Sequence, residues 1–208
     1  STILGDGVAN LRSFTHTSGI VYSKKKFGFG KYEIRCKLPK GKGFFPAFWV
    51  FADEKMEDDV TLYPNWRYEE IDVFEFWNEK KKVGGFTTYD PTLNQKVPHF
   101  GSIYDYGTID PDKRDAGGGN WKSNTDFSDR FHTFTMTYDE YHIKWYVDGV
   151  LRYHKPRFID LYTELPLDHQ DLYTGRVGVM ESRSFPRYQR FHIIANLAIQ
   201  KGAGVGPL

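Results

Sequence analysis

Residues 142–154 read HIKWYVDGVLRYH, two runs of strand-forming residues on either side of Asp148-Gly149. An Asp-Gly pair between such runs is a strong short-range signal for a β-hairpin. Working outward, residues 31–38 (KYEIRCKL) alternate strictly, with Tyr32, Ile34, Cys36 and Leu38 on one face and Lys31, Glu33, Arg35 and Lys37 on the other. That period describes a half-buried strand. It turns Cys36 inward, where it serves as a small inert hydrophobe rather than a nucleophile. More strands are expected at 131–138 (FHTFTMTY), 175–182 (GRVGVMES) and 190–199 (RFHIIANLAI). Residues 43–53 (GFFPAFWVFAD) are apolar on both faces and read as a central strand, with Pro46 pointing to a bulge or an irregular start. Helical periodicity is lacking, with room for at most a turn or two near 124–131. Many short strands with turn signals between them predict an all-β sandwich or barrel.

Composition narrows the function classes. The chain has 208 residues, enough to bury a sizeable core in one domain. Its 27 acids and 28 bases nearly cancel, so no global field selects nucleic acid or a membrane surface. No apolar run approaches the roughly 20 residues of a membrane helix, and no signal peptide is expected at the start. The 14 Tyr, 17 Phe and 5 Trp can fill a core, and they also suit a wet, ring-lined binding surface. One cysteine excludes an internal disulfide and leaves the compartment open.

The chemistry-bearing stretch is RYEEIDVFEFW, residues 67–77. On a regular strand Glu70 and Asp72 face the same way, Phe74 follows them and Glu75 points to the opposite side. A single β-bulge at Val73-Phe74 restores the phase, giving a row of Glu70, Asp72, Glu75 and Trp77 while Glu69 and Ile71 point away. The Cα atoms of Glu70 and Glu75 are then about 13–16 Å apart. Two inward-leaning glutamates could close that to the ~5–5.5 Å of a retaining glycosidase. Three clustered carboxyls cannot all stay ionised, so at least one should have a raised pKa and act as an acid near neutrality. Two plainer readings stand beside this one. The acids also fit a solvated edge face, and less well a calcium site, because calcium prefers oxygens wrapped from a loop.

The acids are not alone. EIDVFE (70–75) resembles the signature of glycoside hydrolase family 16 in its bulged, laminarinase-like form. KFGFGKYEIRCKLPKGKGFFPAFWVFAD (26–53) resembles the family's stretch upstream of the acids, FHTFTMTYDEYHIKWYVDGVLRYH (131–154) its hairpin, and NLAI (196–199) its penultimate strand. The four blocks stand in family order. The resemblance implies a β-jelly-roll sandwich of two curved antiparallel sheets with a concave substrate cleft. It also implies Glu70 as nucleophile, Glu75 as general acid and then base, and Asp72 as the residue that orients the nucleophile. Trp49 matches a family tryptophan that stacks on sugar, whereas Phe45 replaces its partner tryptophan. Trp66, just ahead of the strand, is a candidate for the cleft, with buried packing an equal reading. His99 lies where members carry a cleft histidine, although a surface or loop-bracing role suits the local sequence better. Two departures stand out: the family's NLAIGG reads NLAIQK here, and the usual terminal strands are expected to be missing from a single catalytic domain spanning 1–208. No metal or other cofactor is expected, the structural calcium of the family included.

The substrate is left open by the family, which cleaves β-1,3-glucans, mixed-linkage glucans and several galactans. A retaining endo-β-glycanase acting on a β-1,3-glucan is the first reading. A hydrolase of an agarose-, porphyran- or carrageenan-type galactan, or a non-catalytic glycan-binding module, is the alternative, and a chance motif on an unrelated β-sandwich is the last. Lys80–Lys82 and the group Arg183, Arg187 and Arg190 could recognise an anionic sugar, yet solvated loop charges are the favoured explanation. DAGGGN (115–120) lacks the Lys-Ser/Thr of a phosphate-binding loop and reads as a flexible loop, inside a signal-poor region from 87 to 121 that is expected to be functional loop. Lys24–Lys26 read as a solvated turn. His132, His142 and His154 lack zinc-ligand spacing. The expected partner is therefore a polysaccharide, with no nucleic acid and no membrane span. A monomer that is secreted, periplasmic or at the cell surface is expected.

Overall fold

The computed structural model describes residues 17–40, 44–52, 68–76, 80–83, 86–89, 98–105, 115–121, 123, 125–160, 162–163, 165–167, 178–182, 185–186 and 190–199. Fifteen strands occur among them. In chain order they are β1 (Gly19–Phe27), β2 (Gly30–Cys36), β3 (Phe44–Ala52), β4 (Tyr68–Phe76), β5 (Lys80–Val83), β6 (Phe86–Tyr89), β7 (Pro98–Asp105) and β8 (Asp115–Asn120). β9 (His132–Tyr138), β10 (His142–Val147), β11 (Val150–Pro156), β12 (Phe158–Asp160), β13 (Pro166–Leu167), β14 (Val179–Glu181) and β15 (Phe191–Ile199) complete the set.

Two sheets carry the fold, one ordered β1-β15-β3-β4-β7-β8 and the other β11-β10-β9-β2, and every pairing in them is antiparallel. The hairpin is where its sequence puts it. Asp148 and Gly149 both adopt positive φ, 50° and 79°, as a two-residue turn that matches the strand twist requires. The Asp148 carboxylate ties this turn to β9, accepting from the Thr133 N–H at 2.9 Å and bonding His132 Nδ1 at 2.7 Å.

The core lies between the two sheets. Phe48, Val50 and Ala52 of β3, with Ile71, Phe74 and Phe76 of β4, meet Tyr32 of β2, Phe134, Met136 and Tyr138 of β9, and Ile143, Trp145 and Val147 of β10. Ring contacts stitch the layers, with Phe74 at 4.5 Å from Phe134 and Phe76 at 5.6 Å from Phe127, centroid to centroid. Cys36 is half-buried against this core, and burial pushes its thiol up to about 11, so the thiolate nucleophile is scarce at neutral pH.

Three expectations change and a fourth stands. Pro46 marks no irregularity on β3, which pairs continuously with β15 from Phe44 to Phe51, and the ladder to β4 begins only at Ala47. Lys24–Lys26 belong to β1, an edge strand, not to a turn; lysines on an edge disfavour pairing with another chain. DAGGGN is strand β8, paired with β7, and the region around it supplies two strands of the six-stranded sheet. Glycine's poor strand propensity hides such a strand from sequence reading. Near 124–131 the described residues form a turn, with Asp126 Oδ1 accepting from the Ser128 N–H at 3.0 Å.

Candidate active site

β4 is the strand that builds the site. Along β3 the partners run Phe48–Phe74, then Trp49–Asp72, and along β7 they run Asp72–Gly101, then Glu75–His99. One residue, Val73, is therefore extra on β4, and the predicted bulge lies at Val73-Phe74. Its effect is on direction. Ile71, Phe74 and Phe76 enter the core, while Glu70, Asp72 and Glu75 turn to the opposite, open face.

Directly paired residues of antiparallel strands share a face, so the register lays the open face out as three rows. One runs Ile20, Asn196, Ala47, Glu75 across β1, β15, β3 and β4. The next runs Tyr22, Ile194, Trp49, Asp72, and the third Lys26, His192, Phe51, Glu70. Each acid ends a different row. The backbone of Asp72 pairs onward with Gly101 of β7, and Gly101 with Gly118 of β8, while on its other side the middle row passes through Trp49, Ile194 and Tyr22.

Asp72 is the most constrained of the three. It is only 2% exposed, and among the described residues its Oδ1 has no hydrogen-bond partner. Burial first, then the negative charges of Glu75 and Glu70, raise its pKa well above the usual carboxylate range. A buried oxygen without a partner costs about 1–3 kcal/mol and is retained chiefly where function needs it. The sign of the linkage follows. Between the ordinary value of 3.8 and the raised one, the folded chain holds the extra proton, so this carboxyl makes stability fall as pH rises through that window. Asp72→Asn should therefore melt higher than the parent at pH 7, by a few degrees on the ~2–4 °C per kcal/mol scale of a domain this size. The difference should shrink as pH is lowered toward 3.8, measured by thermal denaturation across pH.

The bulge is held from the far sheet. Trp145 Nε1 on β10 donates to the backbone carbonyl of Asp72 at 2.7 Å, inside the core. A carbonyl in a regular strand points along the sheet toward its neighbour strand, not across the sandwich. The bulge has turned this peptide inward, and a buried indole satisfies it.

Trp49 is half-buried on the open face, its Nε1 donating to Asn196 Oδ1 at 2.7 Å and its ring meeting Phe51 edge-on at 5.7 Å. Phe45 shares that alternation two steps back along β3, beyond Ala47. The backbone of His99 pairs with Glu75, which puts it in a strand rather than the expected loop. Trp66, Trp77 and Arg183 lie outside the described residues. Sequence reading missed Asn196, His192, Phe51 and Tyr22; a polar residue inside the apolar run IIANLAI was the available sign for Asn196. Among the described residues no group of three His, Cys, Asp or Glu could hold a metal ion.

The profile of the Glycosyl hydrolases family 16 matches residues 3–175. A glucan endo-1,3-beta-glucosidase of Cryptopygus antarcticus is 30% identical over 94% of this chain and 58% of its own length. A beta-glucanase of Rhodothermus marinus is 26% identical over 90% of this chain and 54% of its own. The chain thus spans little more than half the length of these relatives. Porphyranase B of Zobellia galactanivorans shares the fold, with a TM-score of 0.61 at 12% identity over 99% of this chain and 63% of that one. The sandwich is a jelly-roll of that type.

Proposed function

Because the chain belongs to glycosyl hydrolase family 16, we propose that its three-acid face hydrolyses internal bonds of a β-linked polysaccharide with retention, and that the polysaccharide is a β-1,3-glucan. The observation that carries this reading is the bulge, which returns Glu75 to the face of Glu70 and leaves Asp72 buried between their charges.

In the first step a Glu70 carboxylate oxygen bonds to the anomeric carbon while the bond to the leaving sugar oxygen breaks. The carboxylic proton of Glu75 passes to that oxygen. In the second step the Glu75 carboxylate takes a proton from water, the water oxygen bonds to the anomeric carbon, and Glu70 leaves as a carboxylate. Asp72, holding its proton above the usual range, can donate a hydrogen bond to Glu70 and keep the nucleophile aimed. Trp49, fixed by Asn196, offers a ring beside Asp72 on which a pyranose can stack. A polymeric substrate places the enzyme outside the cytoplasm.

The test is release of reducing ends from laminarin, lichenan, agarose, porphyran and κ-carrageenan. Laminarin should be cut most strongly. Release from a galactan alone would replace the glucan reading, and retardation in a laminarin gel without release would make the chain a binding module.

A further inference from the structure

The open face does not end at Trp49. Two strands further out, β1 puts Tyr22 in the row of Asp72 and Trp49, and β15 puts His192 in the row of Glu70 and Phe51. Their rings stack, 4.6 Å between centroids and 35° between planes, and Tyr22 remains 45% exposed on an edge strand. A tyrosine packed only for stability would be expected to hide more of its ring.

Local structure holds this pair in place. The β1–β15 register shifts between Tyr22 and Lys26, and Ser23 bridges the irregularity, its Oγ accepting from the Ile193 N–H at 2.8 Å and donating to the Lys25 carbonyl at 2.8 Å. The Ser23 carbonyl lies 2.8 Å from His192 Nδ1. A carbonyl only accepts, so Nδ1 carries the hydrogen and Nε2 of the neutral ring is an acceptor. The pair therefore combines a partly open aromatic face with an acceptor for a hydroxyl. That is what a neutral pyranose presents, one flat C–H face and a rim of donors.

We infer that Tyr22 and His192 form an outer sugar subsite, which takes a neutral pyranose of the glycan chain whose cleaved bond lies at β4. The inference rests on reading the acids as the cleavage site. Three strand spacings separate β1 from β4, about 14 Å, so only a chain several sugars long can reach both. Gly101 and Gly118 lie on the other side of Asp72, so among the described residues the rings on the acid-bearing face stand on the β3–β15–β1 side.

The test compares the parent with Tyr22→Ala, Tyr22→Phe and His192→Gln on laminaritriose, laminarihexaose and laminarin, with melting temperatures as the folding check. A ring contact of about 0.5–1.5 kcal/mol corresponds to roughly 3–10-fold. Tyr22→Ala should lower kcat/KM on the hexaose by that factor, mainly through KM, and on the triose by less than about twofold. Tyr22→Phe should keep most of the parent value, and His192→Gln should fall between. An equal loss at both lengths, or none on the hexaose, overturns the subsite while leaving hydrolysis standing. Should the parent retard in a laminarin gel without cutting it, loss of retardation in Tyr22→Ala upholds the subsite and sinks the hydrolytic reading; retention of it overturns the subsite. A parent that neither binds nor cuts laminarin overturns the subsite as stated for glucan.

Discussion

Glu70→Ala should cut turnover on laminarin by about 10⁴-fold or more, the scale on which loss of a catalytic nucleophile is felt. Added azide should then restore release from an activated aryl β-glycoside and yield an α-glycosyl azide. With the carboxylate gone, azide attacks the anomeric carbon once from the vacated side, and a single inversion sets the α configuration. Glu75→Ala should behave differently. It should retain activity on aryl glycosides whose leaving group needs no proton, because Glu70 can still form the glycosyl-enzyme. Azide then displaces Glu70 from the anomeric carbon, two inversions accumulate, and the product is a β-glycosyl azide. Product configuration by NMR assigns the two roles independently of rate, and exchanged configurations would exchange the residues.

Trp145→Phe should have the second-largest effect, although residue 145 is on the sheet that does not carry the acids. The ring is fully buried, and phenylalanine keeps much of its bulk while losing the N–H that reaches the Asp72 carbonyl at 2.7 Å. A buried carbonyl left without a donor costs about 1–3 kcal/mol, so the melting temperature should fall. If the bulge relaxes to recover a partner, Asp72 moves with it, and a displacement near 1 Å at a catalytic group costs about 10²-fold. A drop in kcat with KM little changed is therefore expected. Phe191→Leu is the control, since it loosens the same core at Tyr138 rather than at a residue of the bulge. Loss of kcat in step with stability in both variants would reduce Trp145 to packing.

These expectations show which parts of the molecule its residues advertise. The hairpin at Asp148-Gly149 and the alternation of KYEIRCKL were legible because turn chemistry and period are local properties. The bulge was legible for a related reason: three acids cannot share a strand face at that spacing without one extra residue. β8 was not, because Gly117–Gly119 have no side chains to show a period, and their strand is formed by pairing with β7. The lysines of β1 were misread for the opposite reason, since exposed edge residues need not alternate. Asn196 and His192 could not be placed on the acid-bearing face before the β15–β3 register was known, because neighbouring residues of that strand belong to the core.

The bulge also bears on how this site can change over generations. Val73 and Phe74 together occupy the place of one residue, Phe74 pairing with Phe48 and both side chains buried in the core. A deletion or an insertion of one residue at Val73 makes the separation of Asp72 and Glu75 even, so a straight, unbulged strand then keeps all three acids on one face. Gain or loss of a single codon here thus removes the need for the bulge; loss also takes the buried Val73 side chain from the core, whereas gain moves Glu75 one residue further from Glu70. Related sequences that keep the acids are expected to vary here by one residue at a time, with position 145 released from its role wherever the bulge is lost.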